Sequence, residues 1–309
     1  MEEDEYYPEK PDLIQEKSKS DTAKSLLSLA LFVLAFVAFG GGDTDYSFIL
    51  FVVAVLFIHE MGHFSLMKLC GYKNVSMRFV PFLGAFVRGK KDRYTQKQSL
   101  LVVLAGPIPG ILLGLILGYI GVKQDIEWLK SLSFLFLAIN MINLLPLDPL
   151  DGGQILKLLI RRNQEKFQLV FSFISSLFLI GIGFYFEMWI LLIFGFLMGI
   201  RVRSIQKKYL IHKELDGDKV NYKTTYTELS KRDFAKIKEV VFDNTPALRN
   251  YVDQIPFEKI DPIIADQVNN VLISPVDRDA SFVFRLIAVF VWFSAIIAPF
   301  VLVYLINKK

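Results

Sequence analysis

His59, Glu60 and His63 are the residues whose types and spacing most directly suggest chemistry. They stand in the run His59-Glu60-Met61-Gly62-His63, directly after the apolar stretch Phe48 to Ile58. In an α-helix, positions i and i+4 share a face, so the two imidazoles can hold one metal ion while Glu60 reaches the same side to take a proton from metal-activated water. Two of the three histidines in the 309 residues form this pair, which shuffled sequences rarely produce. The plainer reading is a helix end where polar side chains meet water. Against it, an ionisable side chain inside an apolar span costs roughly 2.5 to 3.5 kcal/mol even on lenient insertion scales.

Two histidines leave a catalytic zinc short of one protein ligand, and the remaining histidine, His212, falls beyond the apolar core of the chain. A carboxylate is the natural third ligand. Asp43, Asp45 and Glu187 lie on the opposite side of the layout derived below, which leaves Asp148 and Asp151. Asp151 also opens an Asp-Gly-Gly run, so its plain role would be an N-cap or turn residue before the basic helix expected over 154 to 162.

The elements that must position these groups are apolar and long. The chain is 53% hydrophobic and 14% aromatic, more apolar surface than one water-soluble core of ordinary proportions can hide. Stretches approaching the roughly 20 residues that cross a bilayer predict seven spans: A (23–39), B (47–69), C (99–121), D (129–147), E (167–185), F (187–202) and G (281–305). Spans E and F are nearly continuous around Glu187 and form the weakest division. Lys and Arg then set the orientation. The B/C connection carries Lys73, Arg78, Arg88, Lys90, Lys91, Arg93 and Lys97; the D/E connection carries Lys157, Arg161, Arg162 and Lys166. Both belong inside, whereas the A/B connection has only Asp43 and Asp45 and belongs outside. The N-terminus is then cytosolic, and spans B and D bring His59, His63 and the two aspartates to the same side.

The net charge of +4 is small and its basic residues lie between spans, so nucleic-acid binding has no support. Cys70 is the only cysteine, so no intramolecular disulfide is possible; it reads as a small buried apolar residue. Met1 to Lys24 is acidic and polar, without the features of a removable signal, and reads as a flexible cytosolic tail. Residues 204–280 read as a small helical module, with Ser230 and Asp233 as a capping pair.

Between spans D and E the sequence runs Asn143-Leu-Leu-Pro146-Leu-Asp148-Pro149-Leu150-Asp151-Gly152-Gly153. With the histidine motif, this resembles the site-2 protease family of intramembrane metalloproteases over roughly residues 47 to 165. The resemblance implies that Asp151 is the third ligand of one Zn2+ beside His59 and His63, that Glu60 is the general base, and that Asn143 binds substrate backbone or stabilises the oxyanion. One widespread form of the motif has its second proline where this chain has Asp148, which keeps Asp148 open as a pocket residue or alternative ligand. Gly106, Gly110, Gly114 and Gly118 recur at every fourth position of span C, a flat stripe for helix packing that matches the family's small-residue motif. Residues 75 to 88, including Pro81-Phe82-Leu83-Gly84-Ala85-Phe86, resemble the family's re-entrant β element, which implies substrate contacts at Gly84 and Phe86.

The expectation is an all-α polytopic membrane protein of six to seven transmembrane helices, with a three-helix catalytic core and a candidate re-entrant β element. Its parts are an acidic tail (1–22), a membrane metalloprotease domain (23–203, core 47–165), a cytosolic module (204–280) and a C-terminal span (281–309). The expected function is zinc-dependent hydrolysis of peptide bonds in transmembrane protein substrates, regulated intramembrane proteolysis, in a bacterial or archaeal cell membrane. Membrane lipid is the surrounding partner. The rivals are a non-catalytic adaptor with a structural zinc and a transporter-like protein, although a Glu between the histidines has no natural purpose in a transporter.

Overall fold

A computed structural model of the chain describes residues 7–13, 21–39, 46–81, 84–160, 162–252, 254 and 260–308. Asp43, Asp45, Phe82, Leu83 and Arg161 lie outside these. In chain order the elements are α1 (Asp21–Phe39), α2 (Tyr46–Leu69), β1 (Lys73–Val80), β2 (Gly84–Lys90), β3 (Tyr94–Thr95), α3 (Gln96–Ala105), α4 (Pro107–Lys123), α5 (Glu127–Asn143) and α6 (Asp151–Leu159). They continue with α7 (Gln164–Tyr185), α8 (Trp189–Gly217), α9 (Lys231–Asp243), α10 (Pro246–Val252), α11 (Ile260–Val271), β4 (Val276–Asp277) and α12 (Phe282–Asn307).

Among the described residues, five segments are long and apolar enough to cross a membrane: α2, α3 with α4, α7, α8 and α12. Between 17% and 28% of the apolar windows of α2, α7, α8 and α12 is buried within the protein, so most of each faces outward. Phe184, Trp189, Phe290 and Phe300 are all at least 63% exposed, an arrangement suited to hydrocarbon and costly in water. The continuous α3–α4 segment is 50% buried and forms the centre of the bundle. This is a mostly helical, multi-pass membrane protein. The helix read as span D is shorter than expected: α5 has 17 residues, about 26 Å at the helical rise, against roughly 30 Å of hydrocarbon. The rest of that span, 144–147, is irregular chain that continues to residue 150.

The weak division between spans E and F is a tight turn at Phe186–Met188, with Glu187 in the left-handed region (φ 56°). It folds α7 and α8 into a hairpin in which the Ser176 hydroxyl donates to the Gly195 carbonyl (2.8 Å). Helix α8 then runs unbroken across residue 203 into the polar region, so the expected module shares a helix with the bundle. The module's core joins Ile211 and Leu215 of α8 to Tyr222, Phe234, Ile237, Ile264 and Val268, and Ser230 caps α9 by accepting from the Asp233 amide.

Two readings are corrected here. Residues 7–13 of the acidic tail are docked rather than free: the Lys10 ammonium donates to the Tyr226 and Leu229 carbonyls (2.7 and 2.8 Å), Tyr226 donates to the Pro11 carbonyl, and Leu13 packs on the module core. The acidic composition that suggested solvation did not register one lysine satisfied by backbone carbonyls. Cys70 is only half-buried, because it follows the last turn of α2.

Strands β1 and β2 form an antiparallel hairpin over the stretch that resembled a β element, with Arg78 opposite Phe86 and Val80 opposite Gly84. Met77 and Phe79 bury against Phe32 of α1, with Met61 and Phe64 of α2 in the same cluster. The hairpin therefore packs on the helix that carries the histidines.

Candidate metal centre

Helix α2 has 24 residues, and His59 lies 13 residues after its start, about 20 Å along a helix of about 36 Å. The histidine pair thus stands within the apolar length of the helix, not at its tip. The structure brings His59, His63 and Asp151 together. His59 Nε2 and His63 Nε2 are 3.2 Å apart, and Asp151 Oδ2 lies 3.2 Å from the first and 3.3 Å from the second. All three residues are less than 9% exposed.

The opposite ring nitrogens are held elsewhere. His63 Nδ1–H donates to the Val102 carbonyl of α3 (2.7 Å), an acceptor only, which fixes the proton on Nδ1. His59 Nδ1–H donates to Asn140 Oδ1 of α5 (2.8 Å), while the Asn140 amide group donates to the Phe136 carbonyl one turn back (2.7 Å). In the neutral rings both Nε2 lone pairs therefore face Asp151. Buried Asp151 Oδ2 accepts no hydrogen bond. Three electron-rich atoms converging within hydrogen-bond distance, one of them a buried orphan, form an arrangement that a cation satisfies. His59, His63 and Asp151 are also the one group of potential ligands that could hold a metal ion among the described residues. Two imidazoles and a carboxylate are a zinc donor set with a position left open.

The framework explains why these residues meet. Gly106 joins α3 to α4, and a Cβ there would stand 2.2 Å from His63 Nε2; a Cβ on Gly110 would stand 2.3 Å from the Asn140 amide. Half of the glycine stripe read as packing surface is therefore space for the metal-site side chains. The α5–α6 connection folds tightly on itself: a Cβ on Gly152 would meet the Leu144 carbonyl at 2.1 Å, and one on Gly153 the Leu147 carbonyl at 2.3 Å. Asp151 is the first residue of α6, and the N-cap position is Leu150, so the Asp151 carboxylate is not used in capping and turns to the histidines.

The other sequence candidates fall as follows. Glu60 is buried beside His59, 4% exposed. Asp148 is not gathered to the histidines: it accepts from Lys157 Nζ (2.6 Å) and Ser172 Oγ (2.7 Å), with Arg201 at 3.6 Å. Asn143 ends α5 with its amide donated to the Ile139 carbonyl (3.0 Å). Gly84 and Phe86 stand on β2, and Gly84 adopts φ +99°, a conformation that favours glycine. His212 is buried far along the chain, between Glu165 Oε2 (2.6 Å) and the Val271 carbonyl (2.8 Å) and stacked on Tyr222. Asn140 is the site residue that the sequence reading missed. Its signal was a buried amide in the last turn of an apolar helix, a group that needs a partner.

A multi-pass helical protein with a buried two-histidine, one-carboxylate cluster is the class that fold and site define. Residues 47–126 and 122–182 match peptidase family M50. The matched stretch contains His59, Glu60, His63 and Asp151 and is similar to that family, in line with the site-2 protease resemblance. A zinc metalloprotease of Methanocaldococcus jannaschii is 31% identical over 120 residues, 37% of this chain and 34% of the relative. Stage IV sporulation protein FB of Bacillus subtilis is 30% identical over 114 residues, 36% of this chain and 39% of the relative. The chain thus spans between a third and two fifths of the lengths of these curated relatives. The solved site-2 protease from Methanocaldococcus jannaschii aligns with a TM-score of 0.46 at 20% identity, covering 58% of this chain and 87% of that one.

Proposed function

We propose that this protein is an intramembrane zinc metalloprotease that hydrolyses peptide bonds of transmembrane proteins within or beside the bilayer. The observation that carries the proposal is the convergence of His59 Nε2, His63 Nε2 and Asp151 Oδ2 inside the apolar length of α2. Bound there, zinc would supply a water with a pKa of about 7 and a Lewis-acid contact for the scissile carbonyl. The chain's own residues do the rest. His59, His63 and Asp151 would hold the ion, and Asn140 and Val102 fix the imidazole tautomers that present Nε2. Glu60 takes the water's proton on its carboxylate and returns it to the leaving amine. A structural zinc takes four protein ligands, and the described residues supply three, which favours catalysis over the adaptor reading.

A transmembrane helix hides its amides, so a substrate must be extended before cleavage. The outer edge of β1 is engaged by α1, where the Phe79 amide donates to Ser28 Oγ (3.1 Å). That leaves β2, with Gly84 and Phe86, as the strand to receive an extended segment, while Asn143 at the end of α5 engages its backbone or the oxyanion. Read as seven spans, the five long apolar helices with the shorter α1 and the 17-residue α5 would, by the charge of their connections, leave the N-terminus and the active-site side in the cytoplasm.

Glu60→Gln tests the mechanism. The variant should bind zinc with wild-type affinity and cut a transmembrane reporter at least 10²-fold more slowly. Wild-type cleavage by the variant refutes the role of Glu60.

A further inference from the structure

The last helix, α12, lies outside the residues that match the peptidase family, yet it reaches the scaffold of the metal site. Trp292 is 3% exposed, and its indole N–H donates to the Leu144 carbonyl at 2.8 Å. Leu144 is completely buried and is the C-cap of α5; its amide is bonded to the Asn140 carbonyl at 3.1 Å. A helix C-terminus leaves carbonyls without intrahelical partners, and a buried one needs a donor from elsewhere. The same Leu144 carbonyl presses on Gly152, the residue after Asp151, so closely that a Cβ would stand 2.1 Å away. One oxygen atom therefore touches both halves of the site: the turn of α5 that carries Asn140, the partner of His59, and the first turn of α6 that carries Asp151. Trp292 is the side chain that ties it down. Ala288 and Ala295, one turn either side, let α12 approach the same buried cluster, which includes Leu100 and Ile155.

We propose that Trp292 is a positioning residue for the metal site: its N–H fixes the Leu144 carbonyl and so sets the spacing between Asn140 and Asp151. The proposal rests on the zinc reading above. It makes the C-terminal helix part of the working enzyme, not an additional anchor.

The test uses the full-length protein in detergent micelles, with Trp292 replaced by Phe and, in a second form, by benzothienylalanine, which keeps the bicyclic shape and deletes only the N–H. Ile296→Ala, in the same cluster, is the packing control. Zinc affinity is read by competition with a chromophoric chelator, and site geometry by the visible absorption of the cobalt(II)-substituted protein. Both Trp292 replacements should weaken zinc about tenfold and shift the cobalt bands. Ile296→Ala should lower the melting temperature and leave the bands in place. A benzothienylalanine form with wild-type affinity and spectrum overturns the proposal alone, as does an Ile296→Ala spectrum shifted in the same way. A wild-type protein that binds no zinc overturns the protease reading itself.

Discussion

At the residue scale, His59, Glu60 and His63 were legible because their spacing puts two imidazoles on one helical face with a carboxylate beside them, the pattern on which the proposed mechanism rests. The third ligand needed the resemblance, since spacing alone left Asp148 and Asp151 equal. The structure separates them by their partners, Asp151 beside two imidazole nitrogens and Asp148 beside a lysine and a serine. Asn140 could be seen to need a partner, but not which one, because a hydrogen bond across 81 residues leaves no local pattern. It provides a sharp prediction. Asn140→Ala removes the acceptor for His59 Nδ1–H, frees the tautomer and should weaken zinc binding by about 10- to 100-fold. Asn143→Ala, whose amide is spent within α5, should leave zinc affinity unchanged and act only on cleavage of the reporter. Equal losses of zinc affinity in the two variants would refute this division of roles.

At the scale of elements, the glycine stripe of α4 was read correctly as a flat face and incompletely as to what lies against it. Periodicity reveals that a helix can be approached closely but not by which atoms. Gly114 meets Leu137, as plain packing predicts, whereas Gly106 and Gly110 meet His63 and Asn140. Gly106→Ala should therefore be far more damaging than its volume suggests. Its Cβ would stand 2.2 Å from a ligand nitrogen, so His63 must shift, and the variant should lose zinc and reporter cleavage together. Gly181→Ala in α7 is the control, since nothing lies within 4 Å of its Cβ position. It should retain full activity and, by removing a helical glycine, gain roughly 0.5 to 1 kcal/mol of stability. Similar activity in the two variants would refute the close fit of Gly106 to the site.

For the whole molecule, hydropathy and charge marked the long apolar helices and the polar stretch between α8 and α12. They could not show how the parts are joined, because the joints are buried polar contacts between distant segments. Asp148 is the clearest of these. It has no exposed surface and receives Lys157 from α6, Ser172 from α7 and Arg201 from α8, the helix that continues into the module. Burial alone would raise its pKa, but Lys157, Ser172 and Arg201 more than offset that and hold the carboxyl below the usual carboxylate range. A carboxyl whose folded pKa is depressed stabilises the fold above its unfolded pKa, and that contribution disappears as the pH falls through the lower, folded value. Asp148→Asn keeps the shape, removes the charge and leaves Lys157 unpaired in a half-buried position. Breaking one side of a buried ion pair costs about 3 to 5 kcal/mol, an upper range here because Lys157 keeps some access to water. The variant should therefore melt several degrees lower at pH 7 and lose less stability than the wild type between about pH 5 and pH 3. Thermal unfolding followed by circular dichroism in micelles across that range measures both effects. Parallel wild-type and variant curves would show that Asp148 does not link the core to α8 through its charge. If the curves converge in acid while zinc affinity at pH 7 is unchanged, the residue acts as a structural joint and not as a ligand.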